Sequence, residues 1–129
     1  MSTATGRFDL TSWDQEAYDE AEGATLARAR NTKAFEGGIT GTSATEMLMA
    51  SASDGSATYV AIERVDAAVD GRKGTFVLRH SALAAGGGGD MRVDVLPGSG
   101  TGELAGLTGE LAITNDDGEH TYTFEYRLP

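Results

Sequence analysis

The feature that most constrains this chain is a two-residue alternation of apolar and polar side chains. In "HTYTFEYRL" (residues 120–128), Tyr122, Phe124 and Tyr126 share one parity, while threonine, glutamate and arginine occupy the other. The segment "GRFDL" likewise places Phe8 and Leu10 on one face. Because successive side chains of a β-strand point to opposite faces, this period predicts half-buried strands.

Turn signals separate these strands. Asp54-Gly55, Asp70-Gly71 and Asp117-Gly118 are dipeptides that favour the positive φ angles of tight hairpins. Gly37-Gly38 predicts another turn, and "AAGGGGD" (84–90) predicts a longer, flexible connection. The predicted strands begin near Gly6, Thr25, Ile39, Ala57, Gly74, Met91, Gly109 and Thr121.

One acidic segment lacks the alternation. We predict that residues 14–24, within "DQEAYDEAEGA", form an acidic loop or a short turn, and that a long strand follows over 25–35. A second interpretation stays open, because Ala24–Arg30 is rich in good helix formers and would also suit two helical turns.

Eight strands joined in sequence predict an all-β fold with one domain over residues 1–129. A closed eight-stranded antiparallel β-barrel is favoured, because closure removes exposed sheet edges. A two-sheet sandwich is the alternative, since periodicity does not separate the two. A barrel of eight strands either fills its interior with side chains or holds one small ligand.

The composition of the chain excludes several kinds of site and partner. The chain has no cysteine, which excludes disulfides, thiolate metal sites and a cysteine nucleophile. A net charge of −10 repels phosphates, so we expect neither nucleic acid nor an anionic membrane as a partner. The start "MSTATGRFDL" has no signal-peptide pattern, and no apolar run reaches the roughly 20 residues of a membrane helix, so we expect a cytoplasmic protein.

Metal and cofactor signals are weak. The only histidines are His80 and His120, and "NDDGE" (115–119) lacks the ligand spacing of a calcium loop. We therefore expect no metal and no cofactor.

The glycine-rich stretch "PGSGTGELAGLTGE" (97–110) raises the question of a phosphate-binding loop. Residues 100–105 match the G-x-G-x-x-A spacing of dinucleotide sites, which works only where the loop opens a helix. Further glycines at 106 and 109 would end such a helix at once. We instead predict a tight single turn in which Leu104 and Leu107 fill apolar space.

The same stretch, together with "ATGRFDLTSW", "EMLMA", "AIERV" and "FVLRHS", resembles the DUF3224 family of small bacterial proteins. More distantly, it resembles the allene oxide cyclase-like barrels, in which a G-T-G-x-x-x-G-x-x-G stretch is a hallmark. The resemblance runs from Gly6 to Tyr126. It implies a closed eight-stranded barrel that self-associates, as a dimer or a trimer. No catalytic motif of the plant cyclases matches here.

Three acid–base candidates share strand parity with apolar neighbours: Glu46, Glu63 and His80. Inside a barrel, desolvation would raise the pKa of the carboxyls and prepare them for proton transfer, so we predict these as catalytic residues. The alternative is an ordinary ion pair, Glu46 with Arg30 or Glu63 with Arg64. The predicted ligand-lining side chains are Tyr59, Leu48, Phe76, Leu78, Tyr122, Phe124 and Tyr126.

Two classes of function follow from these residues. The first is a barrel that binds a small hydrophobic molecule and acts as a cofactor-independent cyclase or isomerase, where confinement of a reactive conformer contributes to the rate. The second is a non-catalytic ligand carrier or a structural oligomeric module.

Overall fold

The computed structural model describes residues 1–129 and consists of a closed barrel in which each strand pairs with its neighbour in sequence. β1 also pairs antiparallel with β8, from Ser2 opposite Tyr126 to Phe8 opposite His120, and this pairing closes the barrel. The predicted barrel is confirmed, and the sandwich is excluded. The strands are β1 (Ser2–Ala21), β2 (Ala24–Gly37), β3 (Ile39–Ala52), β4 (Ala57–Val69), β5 (Arg72–Ala85), β6 (Gly88–Val95), β7 (Thr108–Asp116) and β8 (Glu119–Arg127).

The acidic segment is strand, and the predicted loop over 14–24 is wrong. β1 continues through this stretch and pairs with β2, with Asp14 opposite Arg30 and Glu16 opposite Arg28. Opposite charges directly across a pair of strands stabilise it, which accounts for an extended hairpin in a segment without apolar alternation. The helical alternative for Ala24–Arg30 is also wrong, because these residues belong to β2 and pair with β1.

The turns follow the predicted chemistry. Asp70 and Gly71 have φ angles of 48° and 86°, the positive values that a type I′ hairpin turn requires. The connection predicted over 84–90 is shorter than expected, because β5 and β6 extend to the turn formed by Gly86 and Gly87. Glycine tolerates positive φ without strain, so two residues suffice to reverse the chain.

One half of the barrel, which we call the packed half, is filled by apolar side chains. Phe76 and Phe124 stack inside it with ring centroids 6.0 Å apart, and neither ring contacts solvent. Leu104 and Leu107, from the glycine-rich stretch, are also fully buried in this core. The predicted role of these leucines is confirmed, since the stretch closes this end of the barrel.

The glycines of that stretch allow close backbone packing. A Cβ atom at Gly100 would lie 2.0 Å from the carbonyl oxygen of Leu104, which no side chain tolerates. The helical structure in this segment is limited to one three-residue 3₁₀ turn, Gly102–Leu104. No helix in the structure is long and apolar enough to span a membrane.

Candidate functional site

The other half of the barrel, the open half, contains a cavity of about 160 Å³ that opens to solvent. Small side chains at inward positions, such as Ala29 and Ala61, leave this space unfilled. Every strand contributes to its wall, so only the closed barrel creates the cavity. The lining residues are Phe8, Leu10, Trp13, Asn31, Lys33, Thr45, Met47, Tyr59, Ala61, His80, Met91, Ile113 and His120.

A carboxylate lies at the centre of a buried polar cluster beside the cavity. Glu63, on β4, is fully buried. Its Oε1 atom lies 2.7 Å from His80 Nε2 and 3.2 Å from Lys33 Nζ. Its Oε2 atom accepts a hydrogen bond of 2.6 Å from the Ser43 hydroxyl. A buried charge is stable only with such partners, and this carboxylate has three.

The cluster decides the charge of Glu63. Burial acts to raise its pKa, but the hydrogen bond from His80, the positive charges of Lys33 and His80 and the Ser43 hydrogen bond together lower the pKa to about 2. The prediction that desolvation would raise this pKa is therefore wrong. Glu63 remains an anion at neutral pH, so it serves as an electrostatic partner and a hydrogen-bond acceptor.

The ionised carboxylate also orients the His80 ring. Because Glu63 only accepts hydrogen bonds, His80 Nε2 must carry a proton toward it. In the neutral imidazole this leaves Nδ1 with its lone pair, and Nδ1 lies 3.4 Å from the Tyr59 hydroxyl at the cavity wall. Burial, followed by the charge of Glu63, raises the pKa of Tyr59. The arrangement is an imidazole oriented by a buried carboxylate.

Lys33 is held in place by a second contact. Its Nζ atom lies 4.8 Å from the centroid of the Phe8 ring, a cation–π geometry. The ammonium is therefore fixed between Glu63 and an aromatic face. No group of three or more His, Cys, Asp or Glu side chains is arranged to hold a metal ion.

Two further polar side chains line the cavity without a full set of partners. Asn31 and Thr45 face each other across β2 and β3. The Asn31 amide donates only to the Met47 sulfur, at 3.4 Å, and neither Asn31 Oδ1 nor Thr45 Oγ1 has a hydrogen-bond partner. Both atoms are buried behind the wall of the cavity.

Of the three predicted catalytic residues, the structure brings two together. Glu63 and His80 point inward, as their strand parity predicts. The inward orientation predicted for Glu46 is wrong: it lies on the outer wall and forms an exposed ion pair with Arg30 at 2.9 Å. Leu48 lies on the same outer face. The residues of β3 that face the interior are the alternate ones, such as Met47.

Of the predicted ligand-lining residues, Tyr59 alone lines the cavity. Leu48 is exposed outside, and the others point inward but belong to the packed half, where they fill the core rather than a ligand site. Tyr122 shows why: its hydroxyl accepts from the Ile39 amide at 2.8 Å and donates to the Glu36 carbonyl at 2.9 Å. The residues corrected in this way are Phe76, Leu78, Tyr122, Phe124 and Tyr126.

Sequence reasoning missed four buried polar residues of this site: Asn31, Lys33, Ser43 and Thr45. The signal was present, because "ARNTKAF" places Asn31 and Lys33 on the same parity as Ala29 and Phe35. The burial of all four side chains shows that this parity faces inward. Polar residues on an otherwise apolar face were the observation that singled out Glu63 and His80. The same test applied to β2 finds Asn31 and Lys33, whereas Ser43 and Thr45 lie on β3.

Comparison with known proteins places this geometry in a family. The family described as "Protein of unknown function (DUF3224)" matches residues 4–126. The chain belongs to the DUF3224 family. It is similar to the crystal structure of a DUF3224 protein of unknown function from Shewanella oneidensis MR-1, with 39% sequence identity and a TM-score of 0.93. That similarity covers 100% of this chain and 98% of the other.

No curated protein matches the chain. The comparisons show the DUF3224 family and its barrel, but not membership of the wider allene oxide cyclase-like group. The predicted self-association and cytoplasmic location of this DUF3224 protein stay predictions.

Proposed function

We propose that this DUF3224 barrel binds one small, mainly apolar molecule in the open half, with a polar group of the ligand directed at the buried cluster. The observation that supports this is the uneven wall of the cavity. Leu10, Trp13 and Met91 are partly exposed apolar side chains of the wall, whereas Lys33 and His80 present fixed polar atoms. Ligand sites combine mostly apolar walls with a few oriented polar groups in this way.

The size of the cavity sets the class of molecule. Its 160 Å³ is comparable to the roughly 150 Å³ of an engineered core cavity that binds benzene. The cavity therefore has room for a single six-membered ring. A groove of about 430 Å³ adjoins it and shares Tyr59 and Met91 with it. An apolar tail therefore has a path along Ala82, which lies on the inner face of β5.

Intrinsic tryptophan fluorescence can measure binding to this cavity. Trp13 is the only tryptophan, and it lines the cavity. We expect titration with toluene or phenol to change the Trp13 emission saturably. Ala61→Phe, which fills the cavity, should abolish the change, whereas Ile62→Phe adds the same ring on the outer face of the same strand and should preserve it. A flat titration for both probes, or equal effects of the two variants, would refute the proposal.

The natural occupant requires a separate measurement. Native mass spectrometry of the protein from its source organism, followed by extraction, should detect a bound organic molecule at one per chain. The mass of that molecule would give its chemical class, and the intact complex would give the number of subunits.

The geometry also favours a second, catalytic candidate, a cofactor-independent isomerase or cyclase. His80 Nδ1 would take a proton from the bound molecule, the anion of Glu63 would stabilise the resulting imidazolium, and His80 would return the proton at another atom. The proton that leaves one atom reaches another, so the step needs no oxidant or co-reactant. The observation that supports catalysis is the orientation of His80 by Glu63. A protein that only carries a ligand would not need an oriented histidine.

Exchange of deuterium separates the catalyst from the carrier. Cyclohexanone is a ring-sized ketone whose α-hydrogens exchange slowly with D₂O. We expect the barrel to accelerate this exchange, and expect His80→Gln to abolish the acceleration without loss of ketone binding. Glu46→Gln, on the outer wall, is the matched control and should leave the rate unchanged. Binding without acceleration would identify a carrier.

A further inference from the structure

The outer wall of the barrel carries an apolar patch that has no part in the cavity. Leu48 on β3 and Val60 and Ile62 on β4 point away from the interior, and each is about half exposed. Leu48 lies opposite Val60 in the register of the sheet, and Ile62 is the next outward residue of β4, so the three side chains are contiguous. We call these three residues the outer patch. Single exposed apolar side chains are ordinary, whereas a contiguous group of them indicates an interaction surface.

Strand β8 shows what a solvent-facing strand of this barrel carries instead. Its outward residues Thr123, Glu125 and Arg127 are exposed and polar, as expected for an antiparallel sheet with one face in water. Threonine there supplies the β-branched side chain that strands favour without exposing apolar surface. Strand formation therefore does not require the valine and the isoleucine of the outer patch.

The two strands beside β4 carry outward residues that complement each other. At three successive levels of the sheet, the residue on β3 differs from the residue on β5 in charge or in size. The pairs are Glu46 and Arg79, Leu48 and Ser81, and Ala50 and Leu83. A face whose two sides complement each other in this way can pair with a second copy of itself about a two-fold axis.

An axis along β4 uses this complementarity. It places Val60 and Ile62 against their own counterparts and sets β3 of each copy over β5 of the other. Neighbouring strands lie about 4.8 Å apart, so Glu46 and Arg79 are equally distant from the axis on its two sides. Glu46 of each copy then faces an arginine, and Leu48 faces the small side chain of a serine.

The charged residues of this face are available for a second partner. Within the chain, Glu46 pairs with Arg30, and its side chain remains exposed. Arg79 pairs with Asp94 and is exposed as well. Arg64 is the next outward residue of β4, and its two copies would face each other across the axis. Because like charges repel, the contact ends at that level.

We propose that the outer patch is the interface of a symmetric dimer, in which β3, β4 and β5 of two copies pack face to face. The occupant of the patch is a second copy of this chain. The proposal does not depend on the ligand, since none of the three residues lines the cavity. It gives a specific surface to the self-association that the sequence resemblance implies.

Sedimentation velocity between about 1 and 100 μM protein tests the dimer, because specific interfaces of standard size bind at micromolar concentrations or below. We expect a dimer for the natural chain. Ile62→Lys places two ammonium groups across the axis and should raise the dimer Kd more than about thirtyfold. Leu96→Lys changes a leucine that is equally exposed outside the patch, and should leave the dimer intact.

A mixing experiment tests the predicted arrangement. Glu46→Arg and Arg79→Glu each place like charges against each other in a dimer of that variant, and each should raise the Kd at least about tenfold. In a heterodimer of the two variants, both contacts again join opposite charges. Mixing the two should therefore restore the dimer. Circular dichroism of each variant alone checks that the barrel is folded.

The outcomes are decisive. A natural chain that stays monomeric throughout this range would overturn the proposal and leave the patch to a different partner. A dimer that Ile62→Lys does not weaken would place the interface on another face. A trimer, or folded single variants that do not recover on mixing, would overturn the two-fold arrangement.

Discussion

The packed half and the open half of the barrel share the same alternation but place different residues on the inner face. In the packed half, Phe76 and Phe124 meet ring to ring and exclude solvent. In the open half, the inward positions include Asn31, Lys33 and Glu63, and part of the interior stays empty. The comparison teaches that a strand pattern specifies which side chains face inward, and that their chemistry specifies whether the interior becomes a core or a site.

The two halves should also contribute unequally to stability. Burial of aromatic surface stabilises the packed half. The open half keeps charged groups away from water, and a buried ion pair usually returns little more than its desolvation cost. We therefore expect the packed half to hold the barrel together and the open half to be organised for binding.

The largest effect should come from a truncation in the packed half. We expect Phe124→Ala to lower the free energy of unfolding by about 3–5 kcal/mol, because it leaves a cavity in a dense core. The matched change in the open half, Trp13→Ala, removes a side chain that is 47% exposed and should cost only about 1 kcal/mol. Urea unfolding followed by circular dichroism measures both. Equal losses would mean that the two halves are packed alike.

The buried cluster should be sensitive to the loss of one partner. We expect Lys33→Met to lower the free energy of unfolding by about 3 kcal/mol, because it removes the ammonium that compensates the buried Glu63 anion. Adding Glu63→Gln to this variant should recover part of the loss, since the unpaired charge is then gone. A double-mutant cycle measures the coupling, and simple additivity would show that the two charges do not interact.

The pH dependence of stability should report the same cluster. Glu63 has a pKa of about 2 in the folded protein against an ordinary value of 4.5. A lowered folded-state pKa stabilises the fold above pH 4.5, and that contribution is lost as the pH falls from 4.5 through about 2. The difference corresponds to about 3 kcal/mol. Unfolding of the natural chain and of Glu63→Gln between these pH values should show a steeper slope in the natural chain, because Asp54 and Asp94, whose pKa values are also lowered, contribute equally to both.

The smallest effect should come from the outer wall. Glu46 and Arg30 form an ion pair, and their side chains are 60% and 70% exposed. We therefore expect Glu46→Gln to change the free energy of unfolding by less than about 1 kcal/mol. Raising the salt concentration should reduce even this effect. A loss comparable to that of Lys33→Met would contradict the placement of Glu46 outside the barrel.

Much of the fold was predictable because its signals are local. Strand parity and the aspartate–glycine turns belong to a few neighbouring residues, and they led to the eight-stranded barrel and to the inward side chains of Glu63 and His80. The acidic end of β1 was missed because cross-strand charge pairing, rather than apolar alternation, extends it.

The parity of β3 shows where local reasoning fails. In "TEMLMA", Met47 and Leu48 are both apolar, so each face of the strand is a plausible inner face. Pairing with β2 and β4 resolves the choice, because Met47 lies opposite the buried Ala29 and Ala61. Glu46 then points outward with Leu48, and its predicted catalytic role loses its geometric basis.

By itself, the sequence determined the strands, the turns and the closed meander, because each depends on side-chain period and backbone preference over a few residues. Only the tertiary structure decided which inward residues meet in the middle of the barrel. Lys33 and Glu63 are thirty residues apart and touch because the strands between them pair in one register. The pKa of Glu63 and the cavity beside it arise from that convergence, which no single strand contains.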